Sequence, residues 1–164
     1  MSQGGWHVIR CIAFDFGGTL APRHSKAVDP DAIVVLSLLR SRGYRLVLAS
    51  NTLPHQDRRA ALVQAGADRF FAALIQSHQL GFAKPQPQFY EAVEEAATVD
   101  SPGQILFVGN NITKDVAMPI EYGMRAVLLR SEPPAPCERL PAGALLLSTL
   151  HELPGLLDHL ETGC

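Results

Sequence analysis

Short apolar runs rich in β-branched residues recur along this chain, and a stretch long enough for a helix separates most of them. Residues 8–14 (VIRCIAF), 44–49 (YRLVLA), 104–108 (QILFV) and 125–129 (RAVLL) are such runs, and a shorter one lies within 70–75. Runs of this length, bounded by turn-forming residues, read as strands buried on both faces. Between them, Asp29 followed by Pro30 and DAIVVLSLLRSRG predicts a helix with an aspartate N-cap, a proline in its first turn and Gly43 as its stop. Helical periodicity also marks 56–65, closed by Gly66, then 87–97 and 150–160. It marks 113–122 as well, although Pro119 should distort that helix. Strand and helix in alternation predict a doubly wound, Rossmann-type α/β fold of three layers, a parallel sheet with helices on both faces. No internal repeat or low-complexity tract requires a second domain, so residues 1–164 are expected to form one. The proline-rich stretch 131–143 (SEPPAPCERLPAG) reads as a surface loop, either a plain connection, a specificity loop or a partner-binding segment.

Charge narrows the partners. Charged residues make up 18% of the chain and the net charge is -2, with lysines and arginines scattered singly or as the pair Arg58-Arg59, which reads as a solvated helix face. Nucleic acid is therefore not favoured as a partner. No stretch approaches the roughly 18 uninterrupted apolar residues of a membrane-spanning helix, and Met1 to His7 lack the basic-then-apolar order of a signal peptide. Cys11, Cys137 and Cys164 are odd in number and without metal-ligand spacing, which fits a reducing, cytoplasmic setting better than a disulfide framework.

In a parallel sheet of this kind ligands bind beyond the carboxyl ends of the strands. Three predicted strands end there in polar, turn-forming residues: Asp15-Phe16-Gly17-Gly18-Thr19, Ser50-Asn51-Thr52 and Gly109-Asn110-Asn111. Lys84 in GFAKPQPQFY and Asp115 at the end of VGNNITKD complete the set. Any one of these alone is an ordinary turn, cap or loop cation. In this order and spacing they resemble the signatures of the haloacid dehalogenase superfamily, from Asp15 to about Gly123. The resemblance implies that Asp15 is a nucleophile that attacks phosphorus and becomes an aspartyl-phosphate. Gly18, Thr19, Ser50, Asn51 and Lys84 would bind the phosphoryl group, the glycines through backbone N–H groups and Lys84 as a cation. Mg²⁺ would be held by Asp15, the Gly17 carbonyl and Asn110, while Asp115 would either bind the metal through water or position Lys84.

Two positions depart from the pattern. The second acid of the first signature, which protonates the leaving group and later activates water, is Gly17, and glycine cannot move a proton. The first acid of the last signature is Asn110, which removes one negative charge and weakens Mg²⁺ binding. Related dehalogenases and phosphonate hydrolases lack the second acid too, but both would need a cap domain. The two segments where a cap is inserted, 21–42 and 53–82, are consumed by core elements. The expectation is a capless member with an open site, acting on a phosphorylated small molecule or macromolecule, or covered by a protein partner. Two functions lead, with a metal-independent dehalogenase a distant third. One is a Mg²⁺-dependent phosphohydrolase or phosphotransferase with attenuated activity; the other is a catalytically degenerate domain that binds a phosphorylated ligand or a partner protein.

Overall fold

The structure, a computed structural model, describes residues 8–163. Cys164 and the Met1 to His7 segment read above for a leader lie outside the described residues. Six parallel strands form one sheet in the order β3-β2-β1-β4-β5-β6. They are β1 Cys11–Phe14, β2 Arg45–Ser50, β3 Ala73–Gln76, β4 Ile105–Gly109, β5 Arg125–Leu129 and β6 Leu145–Leu147. This is the doubly wound α/β architecture, and its switch point falls between β1 and β4, where connections leave toward opposite faces. Asp15 continues β1 at that point, its N–H donating to the Val108 carbonyl at 2.9 Å.

Period-two alternation supplies both layers of core. Ile12 and Phe14 of β1, with Leu46, Leu48, Leu106 and Val108, face α1 (Pro30–Ser41), α2 (Arg58–Gln64) and α6 (Leu153–Thr162). Cys11 and Ala13, with Val47, Ala49 and Phe107, face α4 (Pro87–Ala97) and α5 (Met118–Tyr122). The small residues Cys11, Ala13 and Ala49 on the second face leave room for the fully buried rings of Phe89 and Tyr90. α1 begins as its sequence predicts, with the Asp29 side chain accepting from the Asp31 N–H at 2.9 Å and Pro30 in the first turn. α2 is shorter than the expected 56–65, running from Arg58, after Asp57 as its N-cap, to Gln64. The remaining short helix, α3 (Ser77–Leu80), leads into the loop carrying Lys84. Neither the connection from β1 to α1 nor the one from β2 to α4 carries an inserted cap domain.

Two findings differ from expectation. β6 is a three-residue edge strand paired only with β5, in a segment that carried no strand signal. The helix expected over 113–122 is two pieces, a π-helical turn Ile112–Ala117 followed by α5. Proline explains the break: in a π turn the Lys114 carbonyl would accept from residue 119, and Pro119 has no N–H. The hydroxyl of Tyr90 donates to that carbonyl instead, at 2.6 Å, so a side chain from α4 supplies the missing donor. Among the described residues no helix is long and apolar enough to cross a membrane.

Candidate active site

Residues from separate elements converge at the carboxyl ends of β1, β2 and β4. The Lys84 ammonium lies 3.2 Å from Asp15 Oδ1 and 2.7 Å from Asp115 Oδ1, with its side chain only 2% exposed. The rings of Phe107 and Phe89 flank it, 5.5 and 5.9 Å from Nζ to their centroids. Burial by itself pulls the lysine down. The carboxylates of Asp115 and Asp15 override that, and hold the ammonium above the ordinary lysine range. Burial, reinforced by Asp15, lifts the Asp115 carboxyl above the ordinary carboxylate range against the pull of Lys84. The remaining Asp115 oxygen accepts from the N–H groups of Asn110 and Asn111, at 3.1 and 3.0 Å. Both oxygens of Asp115 are thus engaged, and in this arrangement the residue orients Lys84. Gly109 makes room for it, since a Cβ there would overlap the Asp115 carboxylate.

The side chain of Asn51 is engaged with the segment that carries Lys84. Its carboxamide oxygen accepts from the Lys84 N–H at 2.8 Å and its amide donates to the Lys84 carbonyl at 2.9 Å. The expected substrate-binding side chain is a clamp on the backbone that carries Lys84. Ser50, 2% exposed, has only a long local contact to the Asn51 carbonyl at 3.4 Å, so its hydroxyl can turn to a ligand. The Gly18 expectation also needs correcting. Its N–H donates to the Ala21 carbonyl at 2.7 Å and that of Thr19 to Phe16 at 3.1 Å, so neither backbone donor is left for an anion. Gly18 is needed for shape instead, with φ at 75° and a Cβ that would collide with the Asn110 amide. Among the described residues the loop's backbone N–H groups without an acceptor are those of Phe16 and Gly17, and the buried Thr19 hydroxyl is without a partner.

Arg58, read from sequence as part of a solvated face, is half-buried at this rim, its guanidinium carbon 4.5 Å above the centroid of the Phe16 ring. Its position at the start of the helix after β2 was the available signal, because that helix must begin beside the strand's carboxyl end. Beside Asn110 opens a groove of about 1070 Å³, walled by Thr19 and Arg23 on one side and by residues 131–136 of the proline-rich loop on the other. Arg130 ties the loop to the site, donating to the Asn110 carbonyl at 3.0 Å and pairing with Glu138 at 2.8 Å.

A carboxylate paired to a buried lysine at the switch point of a parallel sheet defines a ligand-binding site of the doubly wound class. Residues 23–123 match the model of haloacid dehalogenase-like hydrolases, and the chain belongs to this family. The matched span contains Ser50, Lys84 and Asp115 and begins after Asp15. The chain is similar to the phosphoserine phosphatase of Thermus thermophilus, 34% identical over 120 residues, covering 71% of this chain and 47% of that one. It is also similar to the glyceraldehyde 3-phosphate phosphatase of Methanothermobacter thermautotrophicus, 30% identical over 105 residues, covering 63% and 45%. The chain therefore spans about half the length of the curated relatives it matches. Among solved structures, an HAD phosphatase from Thermococcus onnurineus superposes with a TM-score of 0.68 at 28% identity, covering 79% of this chain and 58% of that one.

The donors present fit the Mg²⁺ that the family implies, though sparingly. Asn110 Nδ2 donates to the Gly17 carbonyl at 3.1 Å, which brings two of the expected ligands into contact two residues beyond Asp15. All three groups can offer hard oxygens once the Asn110 carboxamide turns over to present Oδ1. That turn breaks a hydrogen bond worth about 1 kcal/mol and brings no negative charge. No cluster of three or more His, Cys, Asp or Glu suited to a metal occurs among the described residues.

Proposed function

We propose that this chain is a phosphohydrolase that works through an aspartyl-phosphate on Asp15, with proton transfer as its weak step. The observation that carries this reading is the buried Lys84 ammonium bridging Asp15 and Asp115. That arrangement places one cation where a carboxylate nucleophile and a phosphoryl group must meet. An Asp15 oxygen forms a bond to phosphorus as the ester P–O bond breaks. Lys84, the Ser50 hydroxyl and the N–H groups of Phe16 and Gly17 receive the phosphoryl oxygens. Gly17 gives the departing oxygen no proton, so turnover favours esters whose leaving group is already a weak base. Water then attacks phosphorus, releasing phosphate and restoring Asp15. Mg²⁺, held by Asp15, the Gly17 carbonyl and Asn110 Oδ1, would neutralise charge on the phosphoryl oxygens. The phosphatase names of two relatives support the same reaction class.

With no inserted cap, the chain works as a single domain on a small or macromolecular phosphate, or with its open face covered by another chain. A cytoplasmic setting agrees with the free thiols of Cys11 and Cys137. Purified protein with Mg²⁺ should release p-nitrophenol from p-nitrophenyl phosphate, and Asp15→Asn should abolish it. Absence of turnover across aryl and acyl phosphates would sink the proposal.

One observation favours a second reading. The hydrogen bond from Asn110 to Gly17 closes the metal position on itself, as a domain that binds a phosphorylated ligand or a partner without chemistry would allow. Beryllium fluoride with Mg²⁺ separates the two, because it mimics the aspartyl-phosphate. A rise in melting temperature that Asp15→Asn abolishes supports the enzyme, and no rise supports the binding domain.

A further inference from the structure

Among the described residues no carboxylate is in ion-pair contact with Arg58, although it is half-buried beside the nucleophile's loop, whereas Arg130 at the same end of the sheet is paired with Glu138 at 2.8 Å. The Arg58 Nε is buried and has no hydrogen-bond partner. Desolvation pulls its pKa down, and the charge of Asp15, acting through space, opposes that. The guanidinium is also held in place. It stacks on Phe16, whose ring is fully buried and whose backbone directly follows Asp15. At the other end of the residue, the Arg58 N–H donates at 2.7 Å to the buried Gln76, whose amide in turn donates to the α2 cap Asp57 at 2.8 Å. A stacked, anchored and partly dehydrated arginine has already lost much of the freedom that an ion pair would otherwise cost.

We propose that Arg58 is a second anion-binding point of the site, and that it receives a carboxylate carried by the phosphorylated substrate. The phosphoryl group has its own donors in Lys84, Ser50 and the Phe16 and Gly17 N–H groups, so Arg58 is surplus to it. Arg58 stacks on the residue that directly follows the nucleophile and feels its charge through space, so the two anions belong to one small molecule. A planar guanidinium fixed against a ring presents its edge, the geometry that pairs with a planar carboxylate. The inference rests on the phosphohydrolase reading for the identity of the first anion.

The test uses Asp15→Asn protein, in which a bound ester persists, with calorimetric titration of 2-phosphoglycolate and of inorganic phosphate in Mg²⁺. The expected preference for 2-phosphoglycolate is about tenfold or more, the range of a hydrogen-bonded charge pair. Adding Arg58→Met, which keeps an apolar stem on Phe16, should erase the preference, and Arg58→Lys should retain part of it. Equal affinity for the two ligands, or equal weakening of both by Arg58→Met and Arg58→Lys alike, overturns the proposal. Turnover by the unmodified protein is scored separately. A preference that depends on Arg58 in a protein that never releases phosphate sinks the phosphohydrolase reading and leaves the carboxylate site standing.

Discussion

Replacing Gly17 by aspartate should convert a slow site into a faster one, selectively for poor leaving groups. The position accepts the change. A Cβ built there meets nothing within 4 Å, and the residue is not among those with positive φ, so an L side chain adds no backbone strain. Removing a glycine from the unfolded chain favours folding by about 0.4 to 1 kcal/mol, and repulsion from Asp15 opposes it, so stability should stay within about 1 kcal/mol of the parent. The chemical effect is larger. General acid help is typically worth about 10² to 10⁴ in rate, or about 3 to 5 kcal/mol off the barrier. It should be confined to substrates that need the proton. The assay compares kcat/KM on p-nitrophenyl phosphate with kcat/KM on glycerol 3-phosphate, before and after Gly17→Asp, with Gly17→Asn as control. The alkyl ester should gain about 10² or more while the aryl ester gains far less. A folded variant in which the ratio of the two does not move would refute the assignment of proton transfer as the missing function.

Asn110→Asp should tighten Mg²⁺ by about tenfold or more, since it adds a charge and removes the roughly 1 kcal/mol hydrogen bond that competes with the metal. Its melting temperature should rise at Mg²⁺ concentrations about tenfold lower than the parent's, and equal responses would count against the ligand assignment. Tyr90→Phe removes the side-chain donor to the part-buried Lys114 carbonyl, and urea unfolding should show a loss of about 0.5 to 1.5 kcal/mol. A loss below about 0.5 kcal/mol would mean that the hydroxyl is dispensable. Lys84→Met leaves Asp115 buried and unpaired and should cost about 3 to 5 kcal/mol at neutral pH. The pH dependence has a defined sign. The folded Lys84 pKa is raised, so its stabilisation is full below the ordinary lysine value of about 10.4 and is lost as pH climbs toward the folded value. Melting temperature should therefore fall more steeply above that pH in the parent than in Lys84→Met, and parallel curves would contradict the coupling.

Legibility in the amino-acid order divides along physical lines. β1, β2, β4 and β5 announced themselves because strands buried on both faces are apolar throughout, and α1 because Asp29 and Pro30 mark its start. β6 was silent: three leucines at a sheet edge, held by one neighbour, have no periodicity to read. The convergence of Asp15, Lys84 and Asp115 was legible from the resemblance of their order and spacing to the family signatures. The tasks of individual groups were not, since whether a donor is already satisfied is a fact of tertiary structure. Gly18 and Asn51 carry the right chemistry for an anion and use it internally. Arg58 was misread for the converse reason, because a charge beside another charge on a helix suggests water, and only the fold puts an aromatic ring beneath it.

The wide turn of residues 112–117 makes the site a matter of counting. Each residue added to or removed from a helical turn swings the rest of the helix by about 100°. Deleting any one residue between Asn110 and Asp115 would let the segment tighten into ordinary winding and give Pro119 an easier neighbour, and it would aim the Asp115 carboxylate away from Lys84.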